Sequence, residues 1–174
     1  RRRRASFRRR VRSICRPAAP AAPGRLRAPA DAVSRQGWVD DDTLRPLSEK
    51  GLAQARGLVE VLADRRIDTI VSSPAVRCTQ TVADVAADRG LTVAEDPCLW
   101  EAMPLPPVRA LIDELDHAVI CSHGDLIPDL VDQLIGEGME AIGRDCKKGS
   151  TWVLDREGPA FVRGTYLPPP PLEG

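Results

Sequence analysis

Aromatic side chains are scarce in this 174-residue chain: three Trp, two Phe and one Tyr, of which Phe7 alone falls in the first 30 positions. That scarcity removes the stacking surfaces on which proteins usually hold single-stranded nucleic acid. No C-x-x-C pair occurs among the five cysteines (Cys15, Cys78, Cys98, Cys121 and Cys146), and their odd number argues against a closed disulfide framework. A reduced, cytoplasmic protein is expected. No apolar run approaches the roughly 20 residues that span a bilayer, and none near the start has the roughly 7–15 apolar residues of a secretory signal. A soluble protein without a membrane partner follows as the expectation.

Acidic residues are missing from positions 1–30, which hold eleven of the 25 basic residues; fourteen basic residues then face all 25 acidic ones from position 31 on, a formal charge of −11. The chain reads as a basic arm on an acidic body. The arm is built from Arg, Ala and Pro without apolar periodicity, so it cannot bury enough surface to offset its ordering entropy and is expected to be disordered. Its charge suits a nucleic-acid-binding tail or a transit-like leader, but on charge alone nucleic acid ranks last among the partners. A third reading is that residues 1–30 are not native coding sequence. Their bias is what a GC-rich stretch gives in the wrong frame, and the chain starts with Arg rather than Met. The remainder divides into a single domain over residues 31–167 and a proline-rich tail over 168–174.

Strands and helices alternate from Ser48 onward. Ser48 can cap a helix whose Leu52, Ala55, Leu58, Val59 and Leu62 form one apolar stripe. Thr69 to Ser72 reads as a β-branched strand, and Ser73-Pro74 then starts a helix that carries Val76, Val82, Val85 and Ala86 inward. A weaker strand, Leu91 to Ala94, leads through a short loop around Glu101 to a helix starting at Pro106-Pro107. Ala118 to Cys121 reads as a fully buried strand, followed after Ser122-His123-Gly124 by a helix with Ile127, Leu130, Val131 and Leu134. Thr151 to Leu154 and Phe161 to Tyr166 form a C-terminal hairpin, and Pro168 to Pro171 a stiff, solvated tail. The order implies an α/β fold, a three-layer sandwich around a mostly parallel central sheet.

In such a sheet ligands bind beyond the carboxyl ends of the strands. Two loops lie there. In Ser72-Ser73-Pro74-Ala75-Val76-Arg77-Cys78-Thr79-Gln80-Thr81, Arg77 falls in the first helical turn, where a permanently charged planar fork adds to N–H groups that already favour an anion. Taken alone, such an arginine is more often a solvated surface residue. In Cys121-Ser122-His123-Gly124-Asp125 a buried strand ends on His123 and aims its imidazole at the same rim. His117, at the opposite end of that strand, is read as structural.

These loops, together with Leu44-Arg45-Pro46-Leu47-Ser48-Glu49-Lys50-Gly51, resemble the histidine phosphatase (phosphoglycerate mutase-like) superfamily over about Asp31 to Tyr166. The chain is similar to compact bacterial phosphohistidine phosphatases and to the phosphatase-like domain of actinobacterial Nudix proteins, although it has no Nudix signature. The resemblance implies two-step phosphoryl transfer through a phosphohistidine, without metal or cofactor, on a phosphorylated small molecule or a phosphoprotein. By that resemblance Arg77 and His123 bind the phosphoryl oxygens together with Ser73. Glu101 matches the carboxylate that protonates the leaving group, and as a residue it equally suits a solvated loop.

The front of the motif departs from the family. Aligned from Asp31 backward, Ala28 and Pro29 stand where an arginine and the nucleophilic histidine belong. Arg27, one position away, can supply charge but not a nucleophile, and no apolar run precedes it to form a first strand. The expectation is therefore a phosphomonoesterase site that is inactive as written, or a non-catalytic phosphate- or phosphoprotein-binding relative. A cysteine phosphatase is excluded because no cysteine carries Arg in a C-x5-R pattern. Val39-Asp40-Asp41-Asp42-Thr43 lacks the offset of an aspartate phosphotransferase and is read as a hydrated acidic loop. His117, Cys121 and His123 diverge along a strand and do not suit a shared zinc ion.

Overall fold

The computed structural model describes residues 24–172. Seven strands and four helices follow in chain order: β1 (Gly24–Arg27), α1 (Glu49–Val61), β2 (Thr69–Ser72), α2 (Val76–Arg89), β3 (Val93–Glu95), α3 (Leu105–Glu114), β4 (Ala118–Cys121), α4 (Leu126–Gly136), β5 (Glu140–Ile142), β6 (Thr151–Glu157) and β7 (Ala160–Leu167). They form one sheet in the order β3-β2-β4-β1-β6-β7-β5. The β3-β2-β4-β1 half is parallel throughout, and β6 and β7 add an antiparallel hairpin beside β1. Helices cover both faces. Leu58 of α1 and Val82 and Val85 of α2 pack on Val119 and Cys121, while Val108 and Ile112 of α3 and Ile127 and Leu130 of α4 pack on the opposite face with Leu26 and Ile120. This is the expected three-layer α/β sandwich with its C-terminal hairpin.

The sequence offered no first strand, yet β1 lies at the centre of the sheet. It pairs with β4 through Leu26 and Ile120 and with β6 through Leu26 and Trp152, so its backbone is held by ladders on both sides. The pleat sends Leu26 and the following Ala28 to the α3/α4 face and both Arg25 and Arg27 to the other, where all four are buried. The ladders, rather than any side-chain preference, explain the strand. The arm boundary at residue 30 consequently moves: residues 24–30 belong to the folded body, whereas residues 1–23 lie outside those described.

Other expectations shift for local reasons. Gly90 caps α2 in the left-handed conformation and Leu91 N–H still bonds back to the Ala86 carbonyl, so β3 starts at Val93. The two prolines of α3 fall inside its first turn, which starts at Leu105 behind the cap residue Pro104. The three-residue edge strand β5, paired with β7, had no signal in its short Glu-Ala-Ile run. Pro170, read as part of a solvated tail, is buried on α1 opposite Gly57.

Ser48 caps α1 as its sequence suggests, with its hydroxyl accepting from Gly51 N–H at 3.1 Å. The same hydroxyl and the Ser48 N–H both donate to the Asp31 carbonyl, at 3.0 and 2.9 Å, tying the segment after β1 across the first helical turn. A Cβ at position 51 would lie 2.0 Å from that carbonyl oxygen. Alanine normally favours a helix interior over glycine by about 1 kcal/mol, but here the clash is with backbone and reverses the sign. Gly51→Ala is expected to destabilise the fold by about 1–3 kcal/mol, measured as a lower denaturation midpoint. An unchanged midpoint would show that the segment after β1 can move aside freely.

Candidate active site

The parallel strands β1, β2 and β4 end on the same rim, and a cleft of about 440 Å³ opens there between Ala28, Pro29, Arg35, Arg77, Glu101 and His123. Arg77 stands in the first turn of α2, whose cap residue Ala75 makes no side-chain bond, so the partial positive charge of that helix end adds to the guanidinium. Arg77 is almost wholly buried. Its Nη1 donates to the Asp42 carbonyl at 2.8 Å and its Nη2 to Glu101 Oε1 at 2.9 Å. That network, with Asp42 Oδ2 at 3.2 Å from Nη1, fixes the direction of the fork.

His123 is held from several sides. Ser73 Oγ lies 2.9 Å from Nε2, Cys78 Sγ 3.7 Å from the same nitrogen, and Trp100 stacks on the ring at 6.1 Å between centroids. On the other edge Nδ1 meets Arg77 Nη2 at 3.3 Å and Glu101 Oε1 at 3.2 Å. Ser73 is fully buried behind the imidazole. Its place in Ser73-Pro74 suits the start of α2, and the resemblance makes it a phosphate ligand. The helix instead starts after Ala75, and the Ser73 hydroxyl is directed at His123. The pKa of the Cys78 thiol is lowered by the hydrogen bond it shares with Cys121, against the effect of its burial, with His123 and Arg77 adding to the shift.

Glu101 is carried on the turn between β3 and α3, and that turn is pinned to the loop after β4. Ser122 Oγ donates to the Leu99 carbonyl at 2.9 Å, and Ala102 N–H donates to Asp125 Oδ2 at 2.8 Å. Burial alone would raise the Glu101 pKa, but Arg35, His123 and Arg77 outweigh it and hold the carboxylate below its ordinary value. The structure thus brings Arg77, His123, Glu101 and Ser73 together, as the sequence reading grouped them.

Several residues were missed. Arg35, on the loop after β1, reaches both Glu101 oxygens at 3.0 and 2.8 Å. Asp42, read as part of a hydrated acidic loop, receives Arg45 Nε at 2.7 Å and Arg35 Nε at 3.2 Å and is driven down to about 2, first by its bond to Arg45. Arg27 supplies no charge to the cleft: it is buried within the sheet and donates to Thr151 Oγ1 at 2.7 Å. His117 carries the strand end distant from the cleft, as the sequence placed it, with its carbonyl accepting from Asp68 N–H. At the tip of β1, Ala28 and Pro29 line the cleft and offer it no polar side chain.

Comparisons with known proteins agree with this fold. The chain is 32% identical over 149 residues to an 8-oxo-(d)GTP phosphatase of Mycolicibacterium smegmatis, a match covering 80% of this chain and 46% of that one. It is 43% identical over 56 residues to an uncharacterized protein of Mycobacterium tuberculosis, covering 32% of this chain and 28% of the other. The chain therefore spans less than half the length of these curated relatives. Among solved structures, SixA from Agrobacterium tumefaciens shares the fold with a TM-score of 0.68 at 23% identity, over 85% of this chain and 99% of that one. The protein histidine phosphatase SixA complexed with tungstate does so at 0.61 and 17% identity, over 83% and 94%. Residues 28–103 match the model of the histidine phosphatase superfamily, branch 1, a likeness that the order of the sheet shares.

Proposed function

We propose that the cleft is a phosphomonoesterase site that binds a phosphoryl group but does not turn it over in this chain. The observation that carries the reading is the contrast across the rim. Arg77 and His123 are buried, braced and aimed into the cleft, while the tip of β1 presents only Ala28 and Pro29 where a nucleophile would stand. Phosphoryl transfer through a covalent intermediate needs an attacking group in line with the leaving oxygen, and charge stabilisation alone does not provide one. A phosphorylated small molecule or an exposed phosphoryl group on a protein fits a cleft of this size. The name of the Mycolicibacterium relative, a phosphatase of an oxidised guanine nucleotide, favours the small molecule.

One observation favours a second reading, in which the functional protein is an active phosphomonoesterase and residues 1–30 are a misread frame. Arg25 and Arg27 sit in the middle of the sheet with nitrogens that find no partner among the described residues, an environment suited to apolar side chains. Reading the coding DNA upstream of codon 31 in the other frames should then reveal an apolar strand ending in Arg-His.

For the chain as given, the expected result is no measurable hydrolysis of p-nitrophenyl phosphate and no acid-labile phosphoenzyme, alongside calorimetric binding of inorganic phosphate or tungstate that Arg77→Ala abolishes. Turnover that His123→Ala removes would instead identify His123 as the nucleophile and refute the reading.

A further inference from the structure

Glu101 does not stand back from the phosphate-binding groups. Its Oε1 accepts from Arg77 Nη2 at 2.9 Å and lies 3.2 Å from His123 Nδ1, and Arg35 Nη2 spans both of its oxygens. Two guanidinium donors and a ring nitrogen of His123 thus converge on one carboxylate, which is the arrangement a phosphoryl group's oxygens would seek. Arg77 and His123 are buried and braced, whereas Glu101 and Arg35 are 41% and 62% exposed, so the pair at the mouth is free to rearrange.

We propose that the Glu101 carboxylate occupies the phosphoryl seat as an internal stand-in, and that Arg35 is a phosphate-binding residue: an incoming phosphoryl group docks by displacing the carboxylate and taking over its bonds to Arg77, His123 and Arg35. The inference rests on the reading of the cleft as a phosphoryl site. Two anions cannot share donors within about 4 Å without strong repulsion, so occupation by one excludes the other. A tethered carboxylate also competes at high effective concentration, which lowers the apparent affinity for any anion in solution. Arg35 enters from the loop after β1 and adds a guanidinium to those of Arg77 and Arg45 in the cleft lining, on the side where the strand tip has none.

Asp42 provides the control for charge alone. It bonds to Arg35 and Arg45 and lies 3.2 Å from Arg77 Nη1, but it does not meet His123. Neutralising it removes one negative charge beside the same guanidinium groups without emptying the seat.

The test is calorimetric titration of the full chain with tungstate, and separately with inorganic phosphate, at neutral pH. Glu101→Ala is expected to bind about tenfold tighter than the parent, Asp42→Asn less than about threefold tighter, and addition of Arg35→Ala to Glu101→Ala to weaken binding again by about tenfold. Exchange at the seat is overturned if Glu101→Ala binds no tighter than the parent, or if Asp42→Asn gains as much. It is equally overturned if Arg35→Ala changes nothing in the Glu101→Ala background, since Arg35 would then only anchor Glu101. Those failures leave the phosphoryl site standing. If Arg77→Ala leaves the affinity of Glu101→Ala untouched, or if no variant binds either anion, the phosphoryl-site reading falls and the exchange falls with it.

Discussion

The double variant Ala28→Arg/Pro29→His is expected to hydrolyse p-nitrophenyl phosphate through an acid-labile phosphoenzyme, at least about 100-fold faster than the parent chain. An imidazole nitrogen introduced at position 29 would attack phosphorus as the ester P–O bond breaks, and water would then cleave the P–N bond to release phosphate and restore the ring. On the proposed reading the binding groups are in place: Arg77 and His123 face the cleft from α2 and the end of β4, each held by neighbours that the substitution does not touch. The exchange is also mild for the backbone. Proline has no N–H to lose, its carbonyl still accepts from Gly149 N–H at 2.8 Å, and the Ala28 N–H still donates to the Ser150 carbonyl at 3.2 Å. Pro29 lines the cleft, so the new imidazole enters it directly, whereas an Arg at position 28 starts from a buried site on the α3/α4 face and has to reach the cleft along its stem. Rapid-quench labelling and acid lability of the bound phosphate provide the readout, with His123→Ala in the same background expected to lose most of the gain. A double variant that still binds tungstate but forms no phosphoenzyme would show that the β1 tip does not align with the phosphoryl seat.

Arg77 and His123 were legible because each follows a short β-branched or wholly apolar strand that runs directly into a helix, a pattern that fixes which end of the sheet the side chain occupies. Ser48 and Gly51 were legible as motif positions, and the structure supplies the reason: the backbone of Asp31 crosses where a larger residue at position 51 would be. Arg35 was not legible. It lies in an aperiodic loop, and its partner Glu101 is 66 positions away. Asp42 was misjudged on composition, since an acidic run looks hydrated until its distant arginines are known. β1 failed to show for the opposite reason, because its pairing to β4 and β6 comes from segments about a hundred residues later and its own side chains argue against it.

Those side chains lead to the second large effect, a gain in stability on removing a buried charge. Arg27 is 0% exposed, bonds through Nη1 to Thr151 Oγ1, and leaves Nε and Nη2 without a partner among the described residues. Burial pulls its pKa down to about 10, partly offset by Cys121 alongside, so at neutral pH the guanidinium remains charged inside the sheet. A charged group without a full set of partners costs several kcal/mol to bury, and well-packed apolar replacements of buried charges commonly recover about 1–4 kcal/mol. Arg27→Met keeps the unbranched stem that fills the space between β1 and α1/α2 while deleting the charge. The expected result is a midpoint of thermal unfolding higher by about 3 °C or more, with tungstate binding unchanged because Arg27 does not line the cleft. Arg25→Met should gain less, since Arg25 Nη1 already donates to the Arg66 carbonyl at 3.1 Å. A midpoint that stays level or falls with Arg27→Met would mean that the guanidinium is compensated where it lies, and the case for a foreign first strand would lose its physical support.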